Sequence, residues 1–491
     1  MKRQIWIRLS VKIWRRWVMG SNSWREVKLS DLGEVARGRS RHRPRYAEHL
    51  YGGEYPFIQT GDIKASEGRI SSHEQTYSEA GLAQSRLWPA GTMCITIAAN
   101  IAETGVLQYP ACFPDSVIGF IADKNKADVY YIEYVFRKLR KDIQRQATGS
   151  VQDNINLQTF ERLKFKVPHV EEQHRIANFL NHFDKKITLN RQINQTLEQM
   201  AQTLFKSWFV DFDPVVDNAL DAGFFEQDLG FSEELLHRVE VRKTVRKSDN
   251  FKPLSENIRR LFPNAFEECV ESALGLGGWM PKGWVYKAAE NIANVSIGKT
   301  PPRKESEWFS EQKESNITWV SIRDMGEFGT YTGSSREYLT ANAVKKFNIK
   351  LVPKGSILLS FKLTLGRVAI ASEELTTNEA IAHFVEPKHD ISASYLYCYL
   401  TSFDFNSLGS TSSIATAVNS KIIKNMPILV PTKSILNCFK TKVEPLFRKM
   451  KLIDDEIVTL TKLRDTLLPK LISGELSLSD IKTDITEEIL I

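Results

Sequence analysis

Cysteine is scarce in this chain and never paired. The five cysteines (Cys94, Cys112, Cys269, Cys398 and Cys438) are scattered, with no CxxC pair and no histidine at metal-ligand spacing. A disulfide framework and a zinc site are therefore not expected, and a reducing compartment is. Long apolar runs are also missing. No stretch approaches the ~18 residues of a membrane span, so a cytoplasmic protein is expected. Catalytic signatures are absent too. The nine histidines form no HExxH pair. Ile297 to Thr300 reads IGKT, like the end of a phosphate loop, but the leading glycine is replaced by Ala293, and Pro301 and Pro302 stand where a helix should begin. Gly275 to Gly278 reads GLGG but runs into Trp279, Met280 and Pro281, which suits a linker turn. Glu26 to Lys28 and Glu311 to Lys313 echo the tail of a metal-dependent nuclease site without its upstream Pro-Asp. The Asn/Asp-Pro-Pro-aromatic motif of amino-methyltransferases does not occur. These gaps point away from an enzyme.

What is present is ample core material and uneven charge. Of the 491 residues, 42% are hydrophobic, with 26 Phe and 10 Trp, so folded domains are expected rather than disorder. The net charge is +7, but residues 1–50 carry 13 Lys/Arg against 4 Asp/Glu, leaving the other 441 residues at −2. Residues 1–22 form a basic extension mixing Ile5, Trp6, Ile7, Trp14 and Trp17 with Arg8, Lys12, Arg15 and Arg16. Those charges argue against a secretory leader. A basic amphipathic segment and an upstream start, with Met19 as the true one, are both open.

The chain is written twice. Trp24 to Gly38 (WREVKLSDLGEVARG) matches Trp284 to Gly298 (WVYKAAENIANVSIG) with the same Trp-to-Gly distance. Tyr55 to Ile63 (YPFIQTGDI) matches Ile317 to Met325 (ITWVSIRDM), each an apolar strand ending in a polar loop with an Asp. Trp88 to Ala102 matches Val352 to Gly366 through a Pro-x-Gly turn and a β-rich run. Thr148 to Leu157 matches Thr411 to Ser420, and each copy then closes on an apolar strand ending in Pro168 or Pro431. Short, β-branched strands punctuated by Gly and Pro, with helical patterns at Tyr130 to Ile143 and Ser394 to Phe405, predict an α+β module of about 145 residues in each copy.

After each closing proline the hydrophobic period changes to 3.5. Ile176, Phe183, Asn190, Leu197 and Leu204 are seven apart, as are Phe439, Leu446, Ile453, Leu460 and Leu467. Five heptads in each segment predict long coiled-coil helices of about 36 residues, each about 55 Å long. Asn190 and Asn194 sit on the seam, where polar residues set register. Pro445 should kink the second helix or mark its true first turn. One helix cannot bury its stripe alone. Pairing the two antiparallel within the chain, with a module at each end, is the simplest solution, and pairing with another chain is its competitor.

The expected order is thus an extension (1–22), a first module (23–168), a first helix (169–210), a connector (211–280) containing an unpaired helical stretch at Glu233 to Val245, a second module (281–431), a second helix (432–473) and a tail (474–491).

Polar loops at equivalent positions of the two copies are the candidate binding residues. Arg37, Arg39, Arg41, Arg43 and Arg45 lie within nine residues, and their counterpart loop carries Lys299, Arg303 and Lys304. Such loops suit phosphate contact and guanine readout, or are simply solvated. Gln59, Thr60 and Asp62 stand opposite Ser321, Arg323 and Asp324 as base-edge or turn residues. Ser150, Gln152 and Asn154 stand opposite Ser412, Ser413 and Thr416.

Glu171 to Pro214 (EEQHRIANFL through FKSWFVDFDP) resembles the central region of type I restriction–modification specificity subunits, as does LFPNAFEE leading to MPKGW (Leu261 to Trp284). LRDTLLPKLISGEL (Leu463 to Leu476) resembles that family's C-terminal signature. The resemblance covers nearly everything from Trp24 to Leu476. The basic extension is unusual for the family, and the second helix lacks the Glu-Gln-rich opening of the first. The family implies two target recognition domains reading the halves of a bipartite, asymmetric double-stranded DNA site, with the helices as a ruler. It implies two modification (methyltransferase) subunits docked on the helices, and restriction subunits with a motor. It implies no active site and no cofactor in this chain, with S-adenosylmethionine, ATP and Mg2+ used by the partners. Half-sites one DNA turn apart lie roughly 34 Å apart on one face, a gap such helices could bridge. A fused enzyme, a coiled-coil adaptor that never touches DNA and an orphan protein without active partners are the rival readings.

Overall fold

The computed structural model describes residues 24–42, 44–98, 100–148, 157–269, 276–408 and 418–478. The chain divides into two compact units: residues 1–189 with 457–491, and residues 190–456. Each unit therefore holds one module and a part of both long helices.

The first module is closed by its own ends. Strand Arg25–Lys28 pairs antiparallel with Lys164–Val167, Arg25 opposite Val167. Inside lies a five-stranded sheet in the order Gly33–Arg37, Val117–Ala122, Met93–Thr96, Thr104–Leu107, Arg69–Ile70. The three inner strands are buried almost throughout, which explains their unbroken apolar runs. Helix Val129–Thr148 covers the sheet, burying Tyr131, Ile132, Val135 and Phe136.

The second module repeats this order. Val285–Ala288 pairs with Pro427–Val430. The sheet runs Asn294–Ile297, Ile381–Val385, Ile357–Ser360, Val368–Ile370. The fifth position is held by a single parallel bridge between Tyr331 and Ile370. Helix Ala393–Ser402 covers it. The glycines that end the matched Trp-to-Gly segments have a steric role. A Cβ on Gly38 would lie 2.3 Å from the Pro114 carbonyl oxygen, and one on Gly298 would lie 2.1 Å from Thr377 Oγ1. Only glycine lets the strand end pass that close.

The polar loops expected after YPFI and ITWV are instead short helices, Thr60–Ala65 and Ile322–Met325. Each opens on a capping box, Gln59 with Asp62 and Ser321 with Asp324. A capping box needs an acceptor at the cap and a carboxylate three residues on, and both copies supply them. The repeated Asp is therefore a local structural device.

The long helices span Val170–Phe209 and Lys433–Ser473, 40 and 41 residues. They pair within the chain. In the first unit, Phe183 and Ile187 pack against Leu460, with Leu463 and Leu467 alongside. In the second, Phe205, Trp208 and Phe209 pack on Phe439. Early residues of one helix meet late residues of the other, so the pair is antiparallel. Ile176, Phe183, Asn190, Phe439, Ile453 and Leu460 are buried, while Leu197, Leu204, Leu446 and Leu467 are half-buried. Near Leu204 the buried stripe moves to Ala201, Phe205 and Trp208. A 3.6-residue helix drifts from a strict heptad in this way. Pro445 is not the first turn: the helix begins twelve residues earlier and runs through Pro445 and Pro469.

The seam asparagines face acids. Asn190 donates to Glu456 (2.9 Å), and Asn194 donates to Asp454 (2.7 Å) and to the Met450 carbonyl (3.3 Å). Burial pushes the Asp454 carboxyl up to about 6; Lys451 and the Asn194 amide oppose this, and Asp455 and Glu198 add to it. The folded value is above that of an unfolded aspartate. This group's contribution to stability is thus fully present below pH ~4 and lost as pH rises through about 6. Asp454→Asn should remove that dependence and raise stability at pH 8 by on the order of 1–2 kcal/mol, allowing for solvent screening. Unfolding midpoints of both proteins at pH 4.0 and 8.0 check this; equal shifts in the two would contradict it.

The stretch Glu233 to Val245, expected as an unpaired connector helix, is packed. Helix Glu233–Arg246 buries Leu235 and Val239. Arg242 forks onto Asp217 (2.9 and 2.6 Å), and Arg246 and Arg259 both hold Asp221. Its apolar residues alone look too few for a core helix, because ion pairs of Arg242 and Arg246 also fasten it.

Candidate nucleic-acid interface

The basic loop of the first module leaves the end of strand Gly33–Arg37. Gly38 N–H donates to the Val117 carbonyl (2.8 Å) and Arg39 N–H to the Phe113 carbonyl (3.2 Å). The second module repeats both bonds: Gly298 N–H to Ile381 (3.1 Å) and Lys299 N–H to Thr377 (2.9 Å). The two loops thus start from one backbone frame.

Beneath each loop stands an acid that sequence reasoning missed. In the first module it is Asp115. Arg45 donates to both its carboxylate oxygens (2.9 Å each), and Arg37 Nε donates to its carbonyl. In the second it is Glu379, whose carboxylate accepts from the Thr300 hydroxyl. Partial burial works to raise the Glu379 carboxyl. The Thr300 bond, its own backbone N–H and the charges of Lys362 and Arg303 outweigh this and hold it below the usual carboxylate range. Asp115 and Glu379 each lie two residues before the buried strand that receives the loop. That shared spacing, FPDSV against TNEAI, was the available signal.

The candidate cations fall into two groups. Arg37 and Arg45 are tied to Asp115. Lys299 donates to the Phe347 carbonyl (2.7 Å). Arg303 forks onto Glu337 (2.6 and 3.0 Å) and lies over the rings of Phe309 and Trp319, 4.3 and 4.6 Å from their centroids. The side chains of Arg39, Arg41, Lys304 and Arg323 are exposed, with no acidic partner among the described residues. Arg43, Ser150, Gln152 and Asn154 lie outside the described residues, as do Ser412, Ser413 and Thr416. Gln59 is half-buried and bonded to Gln75 (2.6 Å), Thr60 opens its helix, and Asp62, Ser321 and Asp324 are engaged in caps. Exposed cations on loops whose other cations are held by the fold suit contact with a polyanion.

Each module is also fastened to both long helices of its own unit. In the first, Asp184 of the first helix accepts from Tyr134 (2.6 Å) and from Arg464 of the second helix (2.7 Å), with Arg137 at 3.4 Å and Arg69 at 3.9 Å. Buried Glu133 holds Arg69 (3.1 Å) and Arg137 (2.7 Å). In the second unit, Tyr397 donates to Glu198 of the first helix (2.5 Å), and Tyr331 donates to the Phe447 carbonyl of the second (3.1 Å). Among the described residues no group of three or more His, Cys, Asp or Glu is placed to hold a metal ion, and no helix is long and apolar enough to cross a membrane.

The class these features define is a chain with a duplicated α/β module, each copy carrying an anchored basic loop and fastened to both helices of an antiparallel pair. Residues 22–199 and 281–443 match the model of the type I restriction modification DNA specificity domain, and the chain belongs to that family of specificity subunits. It is 32% identical over 335 residues to the type I restriction enzyme HindI specificity subunit of Haemophilus influenzae, covering 66% of this chain and 71% of that one. It is 27% identical over 474 residues to the MjaIX specificity subunit of Methanocaldococcus jannaschii, covering 93% and 94%. Among solved structures, the type I restriction–modification S subunit from M. genitalium aligns over 91% of this chain and 96% of that one, with 14% identity and a TM-score of 0.47.

Proposed function

We propose that this specificity subunit reads a bipartite, asymmetric site on double-stranded DNA, one half with each module, and positions two methyltransferase subunits and the restriction subunits around it. The observation that carries this is the basic loop built twice on one backbone frame, with different side chains in each copy. Equal frames give equal docking, and unequal side chains give unequal half-sites. The chain itself contributes no reaction step. S-adenosylmethionine, ATP and Mg2+ belong to the partners, and the assembly works in the cytoplasm. For partner docking the second unit offers exposed Ile193 and Met200, one heptad apart on the first helix, and exposed Leu452 on the second.

Arg39 and Arg41 act here as phosphate contacts. Replacing both with alanine should weaken binding of the subunit, assembled with its modification partners, about equally on specific and random duplexes. The slope of log K against log salt should fall by about 2, near 0.9 per lost phosphate contact. Fluorescence anisotropy between 50 and 200 mM salt reads this. An unchanged slope, with a loss confined to one sequence, would make these arginines base readers.

A further inference from the structure

The most exposed large apolar side chain among the described residues is Leu363, 94% exposed at a backbone φ of +64°. It sits at the tip of the hairpin joining strands Ile357–Ser360 and Val368–Ile370. Neither its exposure nor its left-handed backbone is favourable by itself for a leucine.

The hairpin is rigidly framed. Ser360 and Arg367 exchange a bond through Ser360 N–H and the Arg367 carbonyl (2.9 Å), and Arg367 N–H donates to Ser360 Oγ (2.9 Å). Gly366 N–H donates to the Ser360 carbonyl (3.0 Å), and Phe361 N–H to the Ala380 carbonyl (2.9 Å). The first module has the same frame. Thr96 takes the place of Ser360, Glu103 that of Arg367, and Ala102 (φ +61°) that of Gly366, with bonds of 3.0, 3.0 and 2.9 Å; Ile97 N–H meets Ser116 as Phe361 meets Ala380. The residues between these bonds differ in sequence, AAN at 98–100 against KLT at 362–364. In the first module Asn100 is tied back by Lys64 (3.3 Å). In the second, Thr364 stands at the position of Asn100, and Lys362 and Leu363 precede it. A constant frame with a changed tip is what a recognition element needs.

The surroundings favour a polyanion. Lys362 adjoins Leu363. Phe361 is bonded beside Glu379, the acid under the basic loop of Lys299, Arg303 and Lys304. An apolar tip with a lysine beside it matches a DNA groove, with phosphates at the rim and base edges at the floor. The apolar group on a major-groove floor is the thymine C5-methyl.

We infer that Leu363 is a base-contacting residue of the second module, its isobutyl group packing on a thymine methyl in that module's half-site. This rests on the DNA-reading function proposed above. The test uses the full chain assembled with its modification subunits, and duplexes carrying the methylated site found in cells. Each thymine of the half-site read by the second module is replaced in turn by deoxyuridine, which removes only the methyl. The wild type should lose about tenfold in affinity at one position. Leu363→Ala should lose about as much on the thymine site and be indifferent to uracil there, with unchanged melting and assembly. Wild-type affinity in the variant, retained uracil sensitivity, or a half-site without thymine would overturn the inference. So would lost assembly with the modification subunits, which would make Leu363 a protein contact. If the wild type binds the site no better than random DNA, the function reading fails instead, and this inference with it.

Discussion

Asp184→Ala should lower the unfolding free energy of the first unit by about 3–5 kcal/mol, the cost of removing one partner from a buried ion network. Asp184 is buried and receives four groups: Tyr134, Arg137, Arg464 and, more distantly, Arg69. Burial works to raise its carboxyl, but Arg137 and Arg464, with the Tyr134 and Arg464 hydrogen bonds, hold it below the ordinary aspartate value. Its removal leaves Arg137 and Arg464 short of counter-charge and Tyr134 without its acceptor. Denaturant unfolding measures the loss, and a change under 1 kcal/mol would contradict this account. The pH dependence has the opposite sign to that of Asp454. A depressed folded pKa gives stability that is present above the unfolded value of ~3.9 and lost as pH falls through the folded one. Acid should therefore loosen the first unit through Asp184, whereas the second loses the Asp454 contribution as pH rises through about 6. The functional consequence is orientation, because Asp184 joins the first module to both helices at once.

Phe439→Ala should cost the second unit about 3–5 kcal/mol, as large-to-small changes at buried phenylalanines do. The Phe439 ring lies 5.1 to 6.1 Å from those of Phe205, Trp208, Phe209 and Tyr395. These rings come from the end of the first helix, the start of the second and the helix that covers the second module's sheet. Trp284, at the start of that module, packs on Phe209 and Phe212. The cluster is the physical content of the FKSWFVDFDP segment: Trp208, Phe209 and Phe212 are buried in it. Phe439→Leu, which keeps more of the volume, should cost less than half as much. Equal losses would mean that the site collapses around the deletion. The same denaturant experiment reads both variants.

The parts of this fold legible in the sequence depend on spacing. Trp24 to Gly38 and Trp284 to Gly298 could be matched because a close backbone approach admits only glycine at their ends. The helices could be found because a long buried stripe forces a heptad. Gly474 at φ +76°, where a Cβ would lie 2.9 Å from Trp24, likewise explains why LISGEL stops the second helix. What was not legible depends on partners distant in sequence. The acids Asp115 and Glu379 matter only because the fold brings basic loops over them. Arg303 looks like a free cation until Glu337 and two rings are placed around it. Helix Glu233–Arg246 looks unpartnered because its ion pairs reach back to Asp217 and Asp221. The local cost of Pro445 predicts a kink or a first turn, yet the helix runs through it with Val443 and Phe447 buried on either side. Gln59 and Asp62 read in sequence as contact or turn residues alike, because caps and base readers draw on the same polar side chains; only the fold shows that they cap a helix.

The central claim is that two unlike readers on one chain choose a split DNA site. Single-molecule sequencing of methylated adenines, in cells carrying the modification partners with and without this gene, tests it most directly. The account predicts a motif that appears only with the gene, built of two short, different blocks separated by unspecified bases. An unbroken palindrome, or methylation that does not depend on this chain, would contradict it.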